Sequence, residues 1–537
     1  MLLAEPTPAS TTGDLAGRLA TIVGADNIVS QADDLEFYST DIYRQRKIAE
    51  LVVRPASAEQ VSVAVKVCTD NDRAVIPRGG GLSYTNGYTP IRDRTVIFDL
   101  CRLDKIIEIN AEDNFVTVEC AVTWRQLYEA LHAKGLRTPY FGTASGFSST
   151  IGGAMSQHSS HFASAQFGIS AESCLGLEVV LADGSIVKTG SASSKYRPSP
   201  FFRNYGPDLT GLFLGDTGAL GFKTKVTLKT IPFPQCQRYG AFAFDTHDQL
   251  IAAMGEVGRD GLAAECGGWD PKMVANYISQ NPALQEDLKY LAGVVRSGSS
   301  LLDGLKGAAR IALTGRNAFK GVYYLMNVTI DEFSTAAGDE KLKAVEKVAA
   351  RHGGRPVEPT FPRAHRGTPF NYPNSVLGAK GQRWVPTHGL TPHSRALEVS
   401  HVMFDYFDRR ADEMERHGIE WRLIMSEIGN SATLIEPMFY WPDKRNIFHE
   451  RWIQKDVLAG MQQYPSSPET AEAMHSIRIG LLDIFMRHGC THFQVGKIYP
   501  YKQGREENTY ALLEGIKKLV DPKGLMNPGS LGLAQPG

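Results

Sequence analysis

Ile76-Pro-Arg-Gly-Gly-Gly-Leu-Ser-Tyr-Thr-Asn-Gly-Tyr-Thr-Pro90 sets three consecutive glycines between two apolar stretches. Gly79, Gly80 and Gly81 can take positive φ and carry no side chain, so successive backbone amides there can converge on an anion such as a pyrophosphate. No G-x-G-x-x-G opens a helix at this point and no Gly-Lys-Ser/Thr follows, which excludes a Rossmann fingerprint and a Walker loop. By itself the triplet is weak evidence, and a surface turn is the alternative reading.

Outward from the loop, short strands and helices alternate. Leu51 to Val53 is apolar, and Ser57-Ala-Glu-Gln60 reads as a capping box before a helix with Val61, Ala64, Val65 and Cys68 on one face. Strands are predicted at Thr95 to Leu100, Ile106 to Asn110 and Phe115 to Cys120. A second box, Thr123-Trp-Arg-Gln126, opens a helix that Gly135 closes. Asp183-Gly184 is a hairpin turn between Cys174 to Leu181 and Ser185 to Thr189. Beyond residue 235 the segments lengthen: amphipathic helices are expected around Gly338 to His352 and Ser394 to His417, and strands at Glu420 to Glu427 and Ala432 to Tyr440. A helix over Tyr510 to Val520 precedes a turn-rich tail.

The 537 residues are 42% hydrophobic and 21% charged, an ordinary globular composition with room for several cores. With 57 Lys and Arg against 58 Asp and Glu there is no overall field to draw in nucleic acid or an anionic membrane. No stretch of about 18 apolar residues occurs, and the first residues lack a basic segment followed by an apolar one, so a cytoplasmic protein without a membrane span is expected. Seven scattered cysteines form no Cys-x-x-Cys pair, which fits neither a disulfide framework nor a zinc site.

Three segments agree with one another. Pro77-Arg-Gly-Gly-Gly81, Thr150-Ile-Gly-Gly153 and Gly215-Asp-Thr-Gly-Ala-Leu-Gly221, the last preceded by Asp208-Leu-Thr-Gly-Leu212, resemble in order and context the flavin-binding turns of the vanillyl-alcohol oxidase / p-cresol methylhydroxylase family. Leu177-Glu-Val-Val-Leu-Ala-Asp-Gly184 resembles a strand and hairpin of that family, and Asp521-Pro with Asn527-Pro-Gly529 its C-terminal tail. The resemblance implies an α+β fold: a two-subdomain FAD-binding domain at 50–233, an α+β cap at 234–489, a C-terminal segment at 490–537 that returns to the FAD domain, and an N-terminal extension at 1–49. It implies FAD held by Pro77, Arg78, Gly79, Gly80, Gly81, Leu82, Ser83, Ser149, Thr150, Gly152, Gly153, Gly215, Gly218, Leu220, Gly221 and Asn527. Leu82 stands where families that tether FAD through this loop carry a histidine, and the cap histidine of vanillyl-alcohol oxidase is replaced within Ser431 to Leu434. Dissociable FAD is the simpler expectation, with a tyrosyl link from the cap left open.

In the phenol-oxidising branch two tyrosines and an arginine hold the phenolate. Tyr88 resembles the first tyrosine and Tyr499 the second, but Pro500 replaces the arginine, leaving Lys497 and Lys502 as nearby cations. The family's catalytic aspartate is also missing, its place taken by Phe167-Gly-Ile169. His158 and His161 are therefore candidate bases, flavin-proximal polar groups or loop residues, and His388 and His492 carry weaker versions of the same reading. Related 2-hydroxy-acid dehydrogenases use closely spaced cap histidines to hold a metal. The stretch from Met425 through Trp441 has none, so no metal is expected. Phe439-Tyr-Trp441, Trp384 and Trp421 would suit an aromatic substrate or plain core. The expectation is an FAD-dependent oxidase or dehydrogenase acting on a hydroxylated, phenolic small molecule. A hydroxy-acid or sugar-type alcohol dehydrogenase, or the flavin subunit of a complex with an electron-acceptor protein, are the alternatives, and a homodimer is compatible with each.

Overall fold

The computed structural model describes residues 12–280 and 322–534. The opening residues read above for a targeting segment lie outside that range. Strands β1 (Ile28–Val29), β2 (Leu51–Val53), β3 (Ala74–Arg78) and β4 (Thr95–Asp99) form a sheet in the order β1-β2-β4-β3. β4 is parallel to both β2 and β3, and β1 runs antiparallel to β2. These strands read as unbroken apolar runs because helices or the second sheet cover them. The helix Ala58–Asp70 makes the crossover, and Leu15, Leu19 and Val23 pack against Val61, Val65, Val75 and Phe98. Its N-terminus is half of the predicted box: Ser57 caps the Gln60 N–H, while Gln60 Oε1 accepts from Ala56 N–H at 2.7 Å instead of from the cap residue.

The second sheet is antiparallel throughout. β5 (Ile106–Asn110), β6 (Phe115–Glu119), β8 (Cys174–Val180), β9 (Ile186–Lys188) and β10 (Phe222–Lys229) lie in the order β5-β6-β10-β8-β9. Thr123 and Gln126 form a complete capping box on the helix Trp124–His132. Gly135 follows that helix at φ 69°, and Gly184 turns the β8–β9 hairpin at φ 84°. Two short strands, β7 (Leu136–Arg137) and β11 (Ile231–Pro232), pair beside this sheet.

After β11 the chain enters a third sheet, which is where the proposed division at 233/234 falls. It contains β12 (Cys236–Phe244), β13 (Glu265–Trp269), β14 (Tyr324–Glu332), β15 (Arg355–Val357), β16 (Arg383–Pro386), β17 (Gly389–Pro392), β18 (Glu420–Ile428) and β19 (Ala432–Trp441). The order is β15-β12-β14-β13-β18-β19-β16, with β17 also pairing β19. The helices His247–Arg259, Thr335–Arg351, His393–Arg409 and Pro468–Arg487 cover one face, burying Met254, Val345, Met403, Ile477, Leu423 and Phe439 in one core. The helix expected over 394–417 breaks at Arg410 (φ −108°, ψ 8°) into two. Because strand side chains alternate, Ile424, Glu436 and Met438 belong to the opposite face, toward the FAD-binding half.

The ends of the described chain tie these layers together. Residues 490–499 still pack with the cap core; the return to the first sheet comes later, where Val75 donates to Leu525 O and accepts from Asn527 N–H, both at 2.8 Å. An N-terminal strap crosses the glycine loop as well: Ile42 N–H donates to Ser83 O at 3.1 Å, and Asn446 of the cap donates to Asp41 O at 3.0 Å.

Candidate active site

A cavity of about 770 Å³ lies between the two FAD-domain sheets and the cap, lined by the glycine loop, the 149–161 turn and the inner face of β18 and β19. The glycines are required by how closely the turns approach one another. A Cβ on Gly79 would stand 2.5 Å from Thr150 Oγ1, and one on Gly80 would overlap the carbonyl oxygen of Ser148. One on Gly152 would meet Cys120 Cβ at 2.6 Å, and Gly218, at φ +72°, leaves room for the ring of Pro77. Segments between about 30 and 140 residues apart thus interlock through bare backbone.

The cradle suits an anionic dinucleotide. Gly79, Gly80, Gly81, Leu82, Ser83, Ser149, Thr150, Gly152, Gly153 and Pro77 line it, with Thr217 and Lys223 on the far side. Beneath Gly81 the guanidinium of Arg78 is buried against the rings of Phe37, Tyr38 and Tyr88, 4.8–5.2 Å from their centroids, with Nε and Nη2 lacking any hydrogen-bond partner. A buried cation behind a row of amides favours phosphate in front of it. FAD is the cofactor this cradle would hold.

Several expected contact residues act one layer back. Arg78, Gly215, Gly218, Leu220, Gly221 and Asn527 do not line the cavity. Asn527 instead joins the turns: Nδ2 donates to Gly87 O at 2.8 Å and to Thr217 O at 2.5 Å, while Oδ1 accepts from Lys497 Nζ at 2.7 Å. Gly215 and Gly221 make room for His158 and Val179. Asp41, which the sequence did not single out, accepts backbone N–H groups from Tyr43, Arg44 and Asn86 at 2.7–2.9 Å. Complete burial pushes its carboxyl up to about 6 despite those bonds.

Tyr88 lines the cavity, but its hydroxyl is a correction to the expected substrate contact: it lies 2.8 Å from both Thr40 O and Gly81 O, so its single proton serves the loop backbone. The tyrosine whose ring faces the cap across the cavity is Tyr84, set edge-on to Trp384 at 5.7 Å. Lys502 is a second correction: it sits at the surface beside Glu514 and over the ring of Tyr510, away from the cavity. The cation near Tyr499 is Arg478. Fully buried on the helix Pro468–Arg487, it donates to Thr387 Oγ1 at 3.1 Å and Tyr84 O at 3.1 Å.

Tyr499 stands behind Tyr84 and Glu436. Its oxygen accepts the His388 backbone N–H at 3.0 Å and lies 2.9 Å from His388 Nδ1. Because His388 Nε2 accepts from Phe493 N–H at 3.2 Å, a neutral His388 carries its proton on Nδ1 and also donates to Tyr499. Burial holds His388 well below the ordinary histidine range and Tyr499 above the ordinary tyrosine range. His492 donates to His388 O at 2.8 Å. With both His388 groups donating to its oxygen, the hydroxyl proton of Tyr499 is left for an acceptor outside this pair.

Among the described residues Glu436 is the carboxyl that faces the cavity from the cap. Its Oε1 lies 3.8 Å from His388 Nδ1, beyond hydrogen-bonding reach, and Ile424, Met438 and Phe493 line the same cavity. Burial alone pushes this carboxyl up to about 7. The sequence signal was present but quiet: one acid within the otherwise apolar Leu434-Ile-Glu-Pro-Met-Phe439. Arg478 carried a similar one, a charge one residue beyond Ile477 on a helix face with Met474 and Leu481.

His158 and His161 both line the cavity. Burial, then the charges of Lys223 and Arg203, lower His158 to about 4 and keep its imidazole neutral. His161 opens onto the cavity and meets the cap at His365, Nε2 to Nε2, at 2.6 Å; it too is lowered to about 4, by burial and by Arg366. Groups that release a proton so readily are poor bases near neutrality. Among the described residues no three His, Cys, Asp or Glu side chains group as metal ligands.

Comparison with known proteins agrees with this architecture. Residues 49–190 match the FAD binding domain, and residues 495–531 match the C-terminal domain of FAD linked oxidases. Across 99% of both chains the structure resembles 4-ethylphenol oxidase from Gulosibacter chungangensis at a TM-score of 0.73 and 17% identity. It resembles p-cresol methylhydroxylase at 0.71 and 18%, over 97% of this chain and 96% of the other. The chain is an FAD-binding protein of the vanillyl-alcohol oxidase / p-cresol methylhydroxylase fold. Among curated proteins this flavoprotein is 29% identical over 247 residues to glycolate oxidase subunit GlcD of Bacillus subtilis, covering 46% of this chain and 51% of that one. It is 30% identical over 214 residues to D-lactate dehydrogenase (cytochrome) 1, mitochondrial, of Saccharomyces cerevisiae, covering 40% and 35%. The matches span about half or less of those relatives.

Proposed function

We propose that this flavoprotein oxidises a small molecule carrying a hydroxyl on an apolar, aromatic frame, a 4-substituted phenol being the favoured class, and that Glu436 takes the proton. FAD supplies the hydride acceptor when bound. The observation that carries the reading is a cavity-facing carboxyl in apolar surroundings whose affinity for a proton is tuned to about pH 7. Ionised, Glu436 accepts the proton of a substrate hydroxyl and leaves an electron-rich oxygen. Tyr84 and Tyr499, with the Arg478 charge behind them, favour negative charge on that oxygen. Trp384, Met438, Ile424 and Phe493 exclude water and seat a ring. Hydroxy-acid oxidation is the second reading, favoured by the names of the curated relatives, whose matches leave much of this chain uncovered.

Anaerobic mixing of the holoprotein with 4-alkylphenols, D-lactate and glycolate separates the two. The expected result is bleaching of the visible flavin band by a phenol, faster above neutral pH. Bleaching by a hydroxy acid alone would transfer the assignment to the second reading, and no bleaching by any of these compounds would reject both.

A further inference from the structure

Residues 191–212 expose an unusual set of side chains. Tyr196 is 80% exposed, Tyr205 66%, Phe201 57%, Phe202 53% and Leu209 51%. Isolated exposed apolar residues are ordinary, but a run of bulky ones in one loop marks a contact surface. The backbone is held: Ser191 N–H donates to Phe202 O at 2.8 Å, Phe202 N–H to Ser191 Oγ at 3.0 Å, and Ser191 Oγ to Ser199 O at 2.6 Å. Pro198, Pro200 and Pro207 restrict it further. The rings project from a closed loop and have no partner there except one another, Phe201 and Phe202 lying 6.3 Å apart.

Charge selects the occupant. Between Asp183 and Asp208 the chain contains Lys188, Lys195, Arg197 and Arg203 and no acid, in a protein whose net charge is −1. Arg203 is committed to Asp208, with Nη2 to Oδ2 at 2.7 Å, and to Ala171 O at 3.2 Å. Lys195 and Arg197 are exposed beside Tyr196. Two copies meeting through this loop about a twofold axis would bring those cations toward their own counterparts. An anionic lipid surface satisfies both features at once, since aromatic rings enter the headgroup layer while lysine and arginine neutralise the phosphates.

We propose that the 191–212 loop docks this flavoprotein peripherally on an anionic bilayer, with Tyr196, Phe201, Phe202 and Tyr205 at the headgroup level and Lys195 and Arg197 on the lipid phosphates. No described helix is long and apolar enough to cross a membrane. The loop leads through Asp208–Leu212 into the 215–221 turn that brings Thr217 to the cavity.

The test is sedimentation of the holoprotein with vesicles of phosphatidylcholine alone or mixed with phosphatidylglycerol. The expected result is binding to the anionic vesicles that weakens with added salt. Replacing Tyr196, Phe201, Phe202 and Tyr205 together by Ser should abolish it, and Lys195→Glu with Arg197→Glu should weaken it by at least about fivefold per residue. Visible flavin in each variant confirms that it is folded. No binding of the parent protein, binding to both vesicle types alike, or unchanged binding by both variants overturns the proposal. So does self-association that these substitutions abolish in a protein that ignores vesicles, which would give the surface to a second copy.

Discussion

Replacing Glu436 by Gln should separate stability from activity. Burial raises the carboxyl from 4.5 to about 7, and at about 1.4 kcal/mol per pH unit that corresponds to about 3 kcal/mol. The sign follows from proton counts: between these values the folded protein keeps a proton that the unfolded chain has released, so stability falls as pH rises and the full cost is present above pH 7. Gln is neutral at every pH. The variant is therefore expected to be more stable than the parent by up to about 3 kcal/mol at about pH 9, and little changed at about pH 4. Turnover should fall by about 10²–10⁴-fold with flavin content intact, and the ascending limb near pH 7 should vanish from kcat/KM. Denaturant unfolding at the two pH values reads the first effect, and single-turnover flavin reduction reads the second. An equal stability gain at both pH values, or a retained limb at parental turnover, would refute the assignment.

Gly80→Val places a branched side chain on the Ser148 carbonyl, which as backbone cannot swing aside. The expected outcome is a folded protein destabilised by about 1–3 kcal/mol with flavin largely lost, read from the ratio of visible to protein absorbance. Asp41→Asn turns one of two acceptor oxygens into a donor facing amide N–H groups; titration should show FAD binding weakened by about 1–3 kcal/mol. For the parent protein, affinity should decline as pH falls through about 6, where Asp41 gains its proton. Tyr499→Phe removes the oxygen that receives two His388 donors; turnover should fall far more than flavin content, and unaltered kinetics would reduce Tyr499 to packing.

The cofactor half was legible because backbone imposes its demands locally. A glycine at 79, 80 or 152 declares a close approach whatever lies opposite, and Thr123 with Gln126 caps a helix by contacts within one turn. The catalytic half depends on which strand face looks where. Tyr88 and Tyr84 lie four residues apart in one loop, and only the packing of Thr40 and Gly81 around the Tyr88 hydroxyl shows which of them is already engaged. Lys502 stood near Tyr499 in the chain, yet the cation comes from Arg478, midway along a helix that sequence alone does not aim. Glu436 declared itself as an acid in an apolar strand, but whether it met water, a partner or a cavity was settled by the third sheet as a whole.

The clasp made by Asn527 has a consequence for biosynthesis. Its amide joins the 87 and 217 turns from a position 440 residues after the first of them. A ribosome-bound chain can make each turn early, but the Asn527 bonds between them form only once residue 527 has left the exit tunnel. This clasp therefore closes late, and a nascent polypeptide stalled shortly before residue 527 would hold both turns without the bridge between them.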